Sequence, residues 1–87
     1  MNKKLSQNFM LWVDHDEKKT DEEKILEGIN HCKEKYKVIP NTVFICFDTL
    51  KNIDLKKIKN IDLIEHNLVQ KNNFWITNSK TGILTKK

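Results

Sequence analysis

The stretch from Thr20 to Tyr36 leaves the chain few alternatives to a helix. Thr20-Asp21-Glu22-Glu23 has the spacing of a capping box, in which the threonine hydroxyl accepts from a free N–H and the glutamate three residues on reaches back. Ile25, Ile29, Cys32 and Tyr36 follow at steps of four, three and four, with Leu26 beside them, which makes a single apolar stripe. Acids fill the first turn, and Lys33, Lys35 and Lys37 fill the last, as the helix dipole favours. Gly28 costs about 1 kcal/mol inside a helix relative to alanine, so its presence predicts a close approach by another backbone. Pro40-Asn41 ends the pattern. A helix with one apolar stripe must lay it on another layer, and the short apolar runs around it are the candidates.

Four such runs read as strands. Phe9 to Val13 and Thr42 to Phe47 are apolar at nearly every position, the mark of strands buried on both faces. The second is expected to be central. Ile61 to His66 and Phe74 to Thr77 follow, the latter expected to form a hairpin with a short last strand at residues 83–85. Strand, helix and second strand are expected to form a parallel unit. Residues 54–58 read as a helical turn and residues 71–73 as a tight turn. Lys51-Asn52-Ile53-Asp54-Leu55 recurs as Lys59-Asn60-Ile61-Asp62-Leu63, but two copies cannot build a solenoid. The expected fold is α+β, a small mixed four- or five-stranded sheet with one main helix, about residues 20–37, packed on one face. Eighty-seven residues make one domain, with residues 1–8 and 86–87 expected to be loose. Trp12 and Trp75 are both expected in the core.

Charge needs care. All sixteen basic residues are lysine, and alanine and arginine are absent, while asparagine and isoleucine each occur ten times. Residues with AT-rich codons dominate, which points to an AT-rich genome, bacterial or of a phage or mobile element. A net charge of +4 arises there without selection for phosphate. Arginine, the better bidentate partner of phosphate and guanine, is missing. The distribution is uneven: residues 14–27 hold seven acids against three lysines, and residues 33–87 hold eleven lysines against five acids. This predicts a bipolar domain, with partner contacts at an acidic end, Asp14, Asp16, Glu17, Asp21 and Glu22, and at a Lys-rich segment, Lys51, Lys56, Lys57 and Lys59. Asp14, Asp16 and Glu17 have no evident local structural duty.

The constellations with chemically capable side chains are poor. Asp14-His15-Asp16-Glu17 lacks the alternating ligands and glycine turn of a calcium loop. His31 and Cys32 are adjacent on the helix and point about 100° apart, unlike the paired ligands of structural zinc sites. Cys32 or Cys46 could lie near His66 as a nucleophilic pair, but neither thiol is expected at a helix N-terminus, where it would be activated. Two glycines cannot build a nucleotide-cradling loop. No cofactor or metal is expected, and the chain reads as a non-enzyme. The function expected is protein binding, with a nucleic-acid-handling complex as one target class. A weak, sequence-indifferent nucleic-acid binder using Lys51, Lys56, Lys57, Lys59 and Lys71 is the alternative, and a small enzyme the third. A homodimer through edge strands is a further expectation. No apolar run has signal or membrane-span length, which predicts a cytoplasmic protein with reduced thiols that does not engage a membrane.

Met10-Leu11-Trp12-Val13-Asp14-His15-Asp16, Lys24-Ile25, Glu34-Lys35-Tyr36-Lys37-Val38-Ile39-Pro40-Asn41 and Asn73-Phe74-Trp75-Ile76 together resemble small uncharacterised bacterial and phage proteins. These share an opening Trp strand, a helix ending near a Tyr-Pro turn, and a closing Phe-Trp strand. The resemblance covers roughly two-thirds of the chain and implies a shared fold. It departs from the pattern in lacking a glycine after Tyr36. In size and style the chain is also similar to accessory proteins of phages and mobile elements, including anti-CRISPR proteins.

Overall fold

The computed structural model describes residues 9–79. Four strands, β1 (Met10–Val13), β2 (Thr42–Ile45), β3 (Asp62–Glu65) and β4 (Asn73–Thr77), and two helices, α1 (Asp21–Tyr36) and α2 (Phe47–Asn52), make up the domain, with a 3-10 turn at Leu55–Lys57. The sheet order is β1-β4-β2-β3. β4 runs antiparallel to both neighbours, and β2 and β3 are parallel. The α+β architecture with one main helix is therefore as the sequence predicts.

α1 forms for the reasons visible in the sequence. The Glu23 N–H donates to Thr20 Oγ1, and the Thr20 N–H donates to the Glu23 carboxylate. Ile25, Ile29 and Cys32 are buried against the sheet. Gly28 is where α1 comes closest: a Cβ there would lie 2.6 Å from the Trp12 ring and 2.7 Å from Ile76 Cδ1. The close approach expected of this glycine is thus to side chains of β1 and β4. α1 ends at Lys37, which adopts a left-handed conformation (φ 58°) and closes the last turn by donating its N–H to the Lys33 carbonyl.

The core lies between α1 and one face of the sheet. Met10, Val43, Ile45, Phe74 and Ile76 meet α1 there, and Leu50, Ile53 and Ile58 pack in from the β2–β3 connection.

Several details differ from the sequence reading. β1 and β2 are parallel in sense but not neighbours, because β4 is inserted between them; the directly paired parallel unit is β2 and β3. β2 stops at Ile45 and Phe47 opens α2 with an exposed ring, since the Cys46 backbone turns out of the strand to cap that helix. β1 is not buried on both faces, because Leu11 and Val13 point away from α1 and are exposed. Residues 83–85 lie outside the described residues. The side of β4 on which a hairpin partner would pair is nevertheless taken, since β4 is hydrogen-bonded to β1 on one edge and to β2 on the other.

Candidate functional site

The expected charged ends prove to be structural in large part. Asp14 Oδ1 accepts from the Asp16 N–H, and Asp14 Oδ2 takes Lys19 Nζ at 3.2 Å. The Asp16 N–H bond, helped by Lys19, holds the Asp14 carboxyl below its usual range. Lys19 bridges onward to Glu27 at 2.6 Å, and the two carboxylates raise its own pKa, Glu27 most. Asp16 Oδ1 accepts from the Lys18 N–H. Asp14 and Asp16 therefore do have a local duty, which is to shape the β1–α1 loop. Glu22 is nearly buried and its Oε2 accepts the Asp54 N–H. That bond is the main reason its carboxyl sits below the ordinary glutamate range, with Lys57 adding to it. Glu17 and Asp21 make no side-chain hydrogen bond or ion pair among the described residues.

The same bond corrects the bipolar picture. Glu22, in the acidic stretch, is joined directly to Asp54, inside the Lys-rich segment. The two charged regions meet instead of standing at opposite ends. Lys51 is engaged within α2, 3.7 Å from Asp48 and over the Phe47 ring. Lys56, Lys57 and Lys59 are exposed.

The feature missed in the sequence is the other face of the sheet. Alternation turns Leu11, Val13, Thr42, Phe44, Asp62, Ile64, Asn73, Trp75 and Thr77 away from α1. Only Asp62 among them is charged, in a chain that is 32% charged. The register aligns four of them in one row across all four strands: Leu11 pairs with Trp75, Trp75 with Phe44, and Phe44 with Ile64. The outer two are the more exposed, Leu11 at 56% and Ile64 at 43%. No helix among the described residues covers this row.

Its centre is aromatic. Phe9 stacks on Trp75 with ring centroids 4.8 Å apart and planes 2° from parallel. From the β3 side, His66 lies 5.1 Å from the Trp75 ring and meets Phe44 edge-on at 5.9 Å. His66 Nδ1 accepts the Leu68 N–H, which fixes the ring orientation and leaves its proton on Nε2. Trp75 is therefore not in the core with Phe74. Trp12 is on the core side but only half-buried, beside His31 at 5.1 Å; its indole N–H finds no hydrogen-bond partner among the described residues.

The Cys–His idea fares differently. Cys46 and His66 do line one shallow depression, at the C-terminal ends of β2 and β3, together with Asp48, Glu65 and Lys71. Cys46 is half-buried, caps α2 at its N-terminus, and lies 3.3 Å from the Thr49 hydroxyl. That corrects the expectation that neither thiol caps a helix, although α2 is only six residues long. Cys32 is fully buried, which pushes its thiol pKa up. The described residues contain no group of three or more metal-ligating side chains, and no described helix is long and apolar enough to cross a membrane.

Comparison with known proteins adds no relative: no family model, no curated protein and no solved structure matches the chain.

Proposed function

We propose that this chain is a non-enzymatic protein-binding domain whose contact surface is the face of the sheet opposite α1. The observation that carries the reading is the row Leu11–Trp75–Phe44–Ile64, set in a nearly uncharged field in a heavily charged chain. A Trp set among aromatic rings with aliphatic side chains at the margins, Leu11 and Ile64, has the composition of a protein-binding hot spot, and exposed apolar patches of this kind mark interaction sites. The Lys-rich AT-biased composition supports an accessory inhibitor from a phage or mobile element as the biological setting, in the style of anti-CRISPR proteins. Lys56, Lys57 and Lys59 belong to the turn that Glu22 ties to α1, so their charge steers a partner from a distance rather than holding it.

Nucleic-acid binding is the weaker reading because of how the rings are arranged. Base stacking needs free aromatic faces between basic groups. Here Phe9 already stacks on Trp75, and no lysine points from the strands onto the face.

Photo-crosslinking side chains placed at Leu11 and at Ile64, with Asn30 and Glu34 on the outer surface of α1 as controls, test the proposal in the producing cell. Protein adducts are expected from the two sheet positions and not from the α1 positions. Adducts of equal yield from all four, or none from the sheet, would overturn it.

A further inference from the structure

The second face of the sheet is bare at its margins and covered at one end. In the row next to Leu11–Trp75–Phe44–Ile64, the register sets Thr77 beside Thr42 and Thr42 beside Asp62. Thr42 is 3% exposed and Thr77 7%, against 43% for Ile64 one row away. Side chains this small cannot bury themselves on a bare sheet, so something lies over them. The described helices do not supply it. α1 packs on the opposite side, and Leu50, Ile53 and Ile58 bring the β2–β3 connection onto that same side. Phe9 stacks on Trp75, which leaves Thr42 on β2 unaccounted for.

The path of the chain points to the cover. After β4 the Asn78 side-chain amide donates to the Ile39 carbonyl at 2.8 Å, and the Ser79 N–H donates to Asn41 Oδ1 at 2.9 Å. The same Asn41 oxygen accepts the Thr42 hydroxyl at 2.8 Å. Ser79 is therefore pinned beside Thr42, and Lys80-Thr81-Gly82-Ile83-Leu84-Thr85-Lys86-Lys87 follow from that point. We infer that residues 80–87 fold back across this end of the second face, lay Ile83 and Leu84 against Phe44 and Ile64, and compete there with a protein partner; the competition rests on the reading of that face as a protein-binding surface.

Reach and charge both fit this occupant. Rows on one face are two residues, about 7 Å, apart along a strand, and four residues of extended chain cover up to about 14 Å. Ile83, four residues past Ser79, comes within range of Phe44, and Leu84 of Ile64 on the next strand. The charges of the segment are Lys80, Lys86 and Lys87, while Asp62, at the end where the segment enters, is the one charge on the face. Nothing on the face repels the lysines. Other destinations fit less well. Both edges of β4 are paired, which closes the hairpin, and a strand added outside β3 would leave Thr42 uncovered. Two aliphatic side chains make a small contact, so a partner anchored on Trp75 can displace them.

A photo-crosslinking side chain at Ile64 in the purified full chain tests the inference. Digestion at lysine releases residues 81–86 as one peptide. Mass spectrometry is expected to find that peptide joined to position 64 in the monomer, with a yield independent of protein concentration. The same side chain at Leu26 on α1 should give no such adduct. Ile83→Asp/Leu84→Asp should cut the adduct about fivefold or more, because charge replaces the apolar contact. In the producing cell the same pair should raise capture of partner protein from Ile64 by about twofold or more, since the binding-competent fraction rises. Circular dichroism checks that the variant folds, and Ile83→Ser/Leu84→Ser is the milder pair should it not. An absent adduct with residues 81–86 overturns the inference, as does one indifferent to both pairs, or partner capture that stays level when the segment is loosened. Failure of the protein-binding reading looks different: the adduct forms as expected, but neither parent nor variant captures protein in the cell. The docking then stands and the competition falls.

Discussion

The two faces of the sheet are made of similar residues and have opposite fates. On one, Phe74 and Ile76 of β4 are fully buried beneath α1. On the other, Trp75 between them is half-buried, propped by Phe9 and His66. Apolar character alone does not distinguish the two. What does is the supply of covering elements: among the described residues α1 is the one long helix, and a helix covers one face. The apolar side chains of the second face are then in excess of what the core needs, and such excess is a sign of a surface with a use.

The contrast can be broken most directly at adjacent positions in β4. Phe74→Ala should cost about 3–5 kcal/mol, comparable to the whole stability of a domain this small, and leave the chain largely unfolded. Trp75→Ala should cost less, roughly 2–3 kcal/mol, because part of its surface is already in water and its removal leaves no closed cavity. Denaturant titration of the two variants gives the comparison, and equal losses would show that the open face is core after all.

Gly28→Ala asks how tightly the covered face is packed. Alanine would gain about 1 kcal/mol of helix propensity, but the new methyl meets the rigid Trp12 ring at 2.6 Å. Overpacking of this kind costs about 1–3 kcal/mol, so the net effect should be a lower melting temperature. A rise would mean that α1 can lift from the sheet without loss.

Glu22→Gln probes the joint between α1 and the 54–57 turn. Replacing a nearly buried carboxylate that accepts a backbone N–H should cost about 1–3 kcal/mol at neutral pH. The sign of the pH dependence follows from the depressed pKa. Glu22 stabilises the fold above its unfolded value, near 4.5, and that contribution is lost as pH falls through the lower folded value. The variant should therefore lose less stability than the parent on acidification. An unchanged acid profile would place the acid sensitivity elsewhere, with Asp14 the next carboxylate to test.

The smallest effect is expected at the end of α1. Lys37 occupies a left-handed conformation that glycine adopts without steric cost. Lys37→Gly should stabilise the domain by about 0.5–1 kcal/mol, read as a small upward shift in the denaturation midpoint. A loss would show that the Lys37 side chain holds something the backbone alone does not.

The sequence by itself determined α1, its cap, its buried stripe and the positions of four strands, because each rests on interactions between residues within a few positions of one another. Capping needs residues three apart, the stripe needs steps of three and four, and a strand needs a short apolar run. It also identified Gly28 as a contact point. The apolar second face was not legible, because a run such as Phe9 to Val13 is apolar at every position and alternation leaves no trace in it. Counting one long helix against a two-faced apolar sheet was the signal available. The acidic stretch misled for a related reason: the duties of Asp14 and Glu22 are performed toward Lys19 and Asp54, and the second of these is 32 positions away.

Tertiary structure alone decided the rest, and the repeated pentapeptide shows why. Lys51-Asn52-Ile53-Asp54-Leu55 ends α2 and enters the 3-10 turn, while the identical Lys59-Asn60-Ile61-Asp62-Leu63 passes through a left-handed Asn60 (φ 64°) into β3. The local preferences are the same in both copies. In the first, the Asp54 N–H finds Glu22 on α1; in the second, Asp62 and Leu63 find the free edge of β2. Which partner lies within reach is a property of the assembled chain, and so is the insertion of β4 between β1 and β2 that aligns Leu11, Trp75, Phe44 and Ile64 in one row.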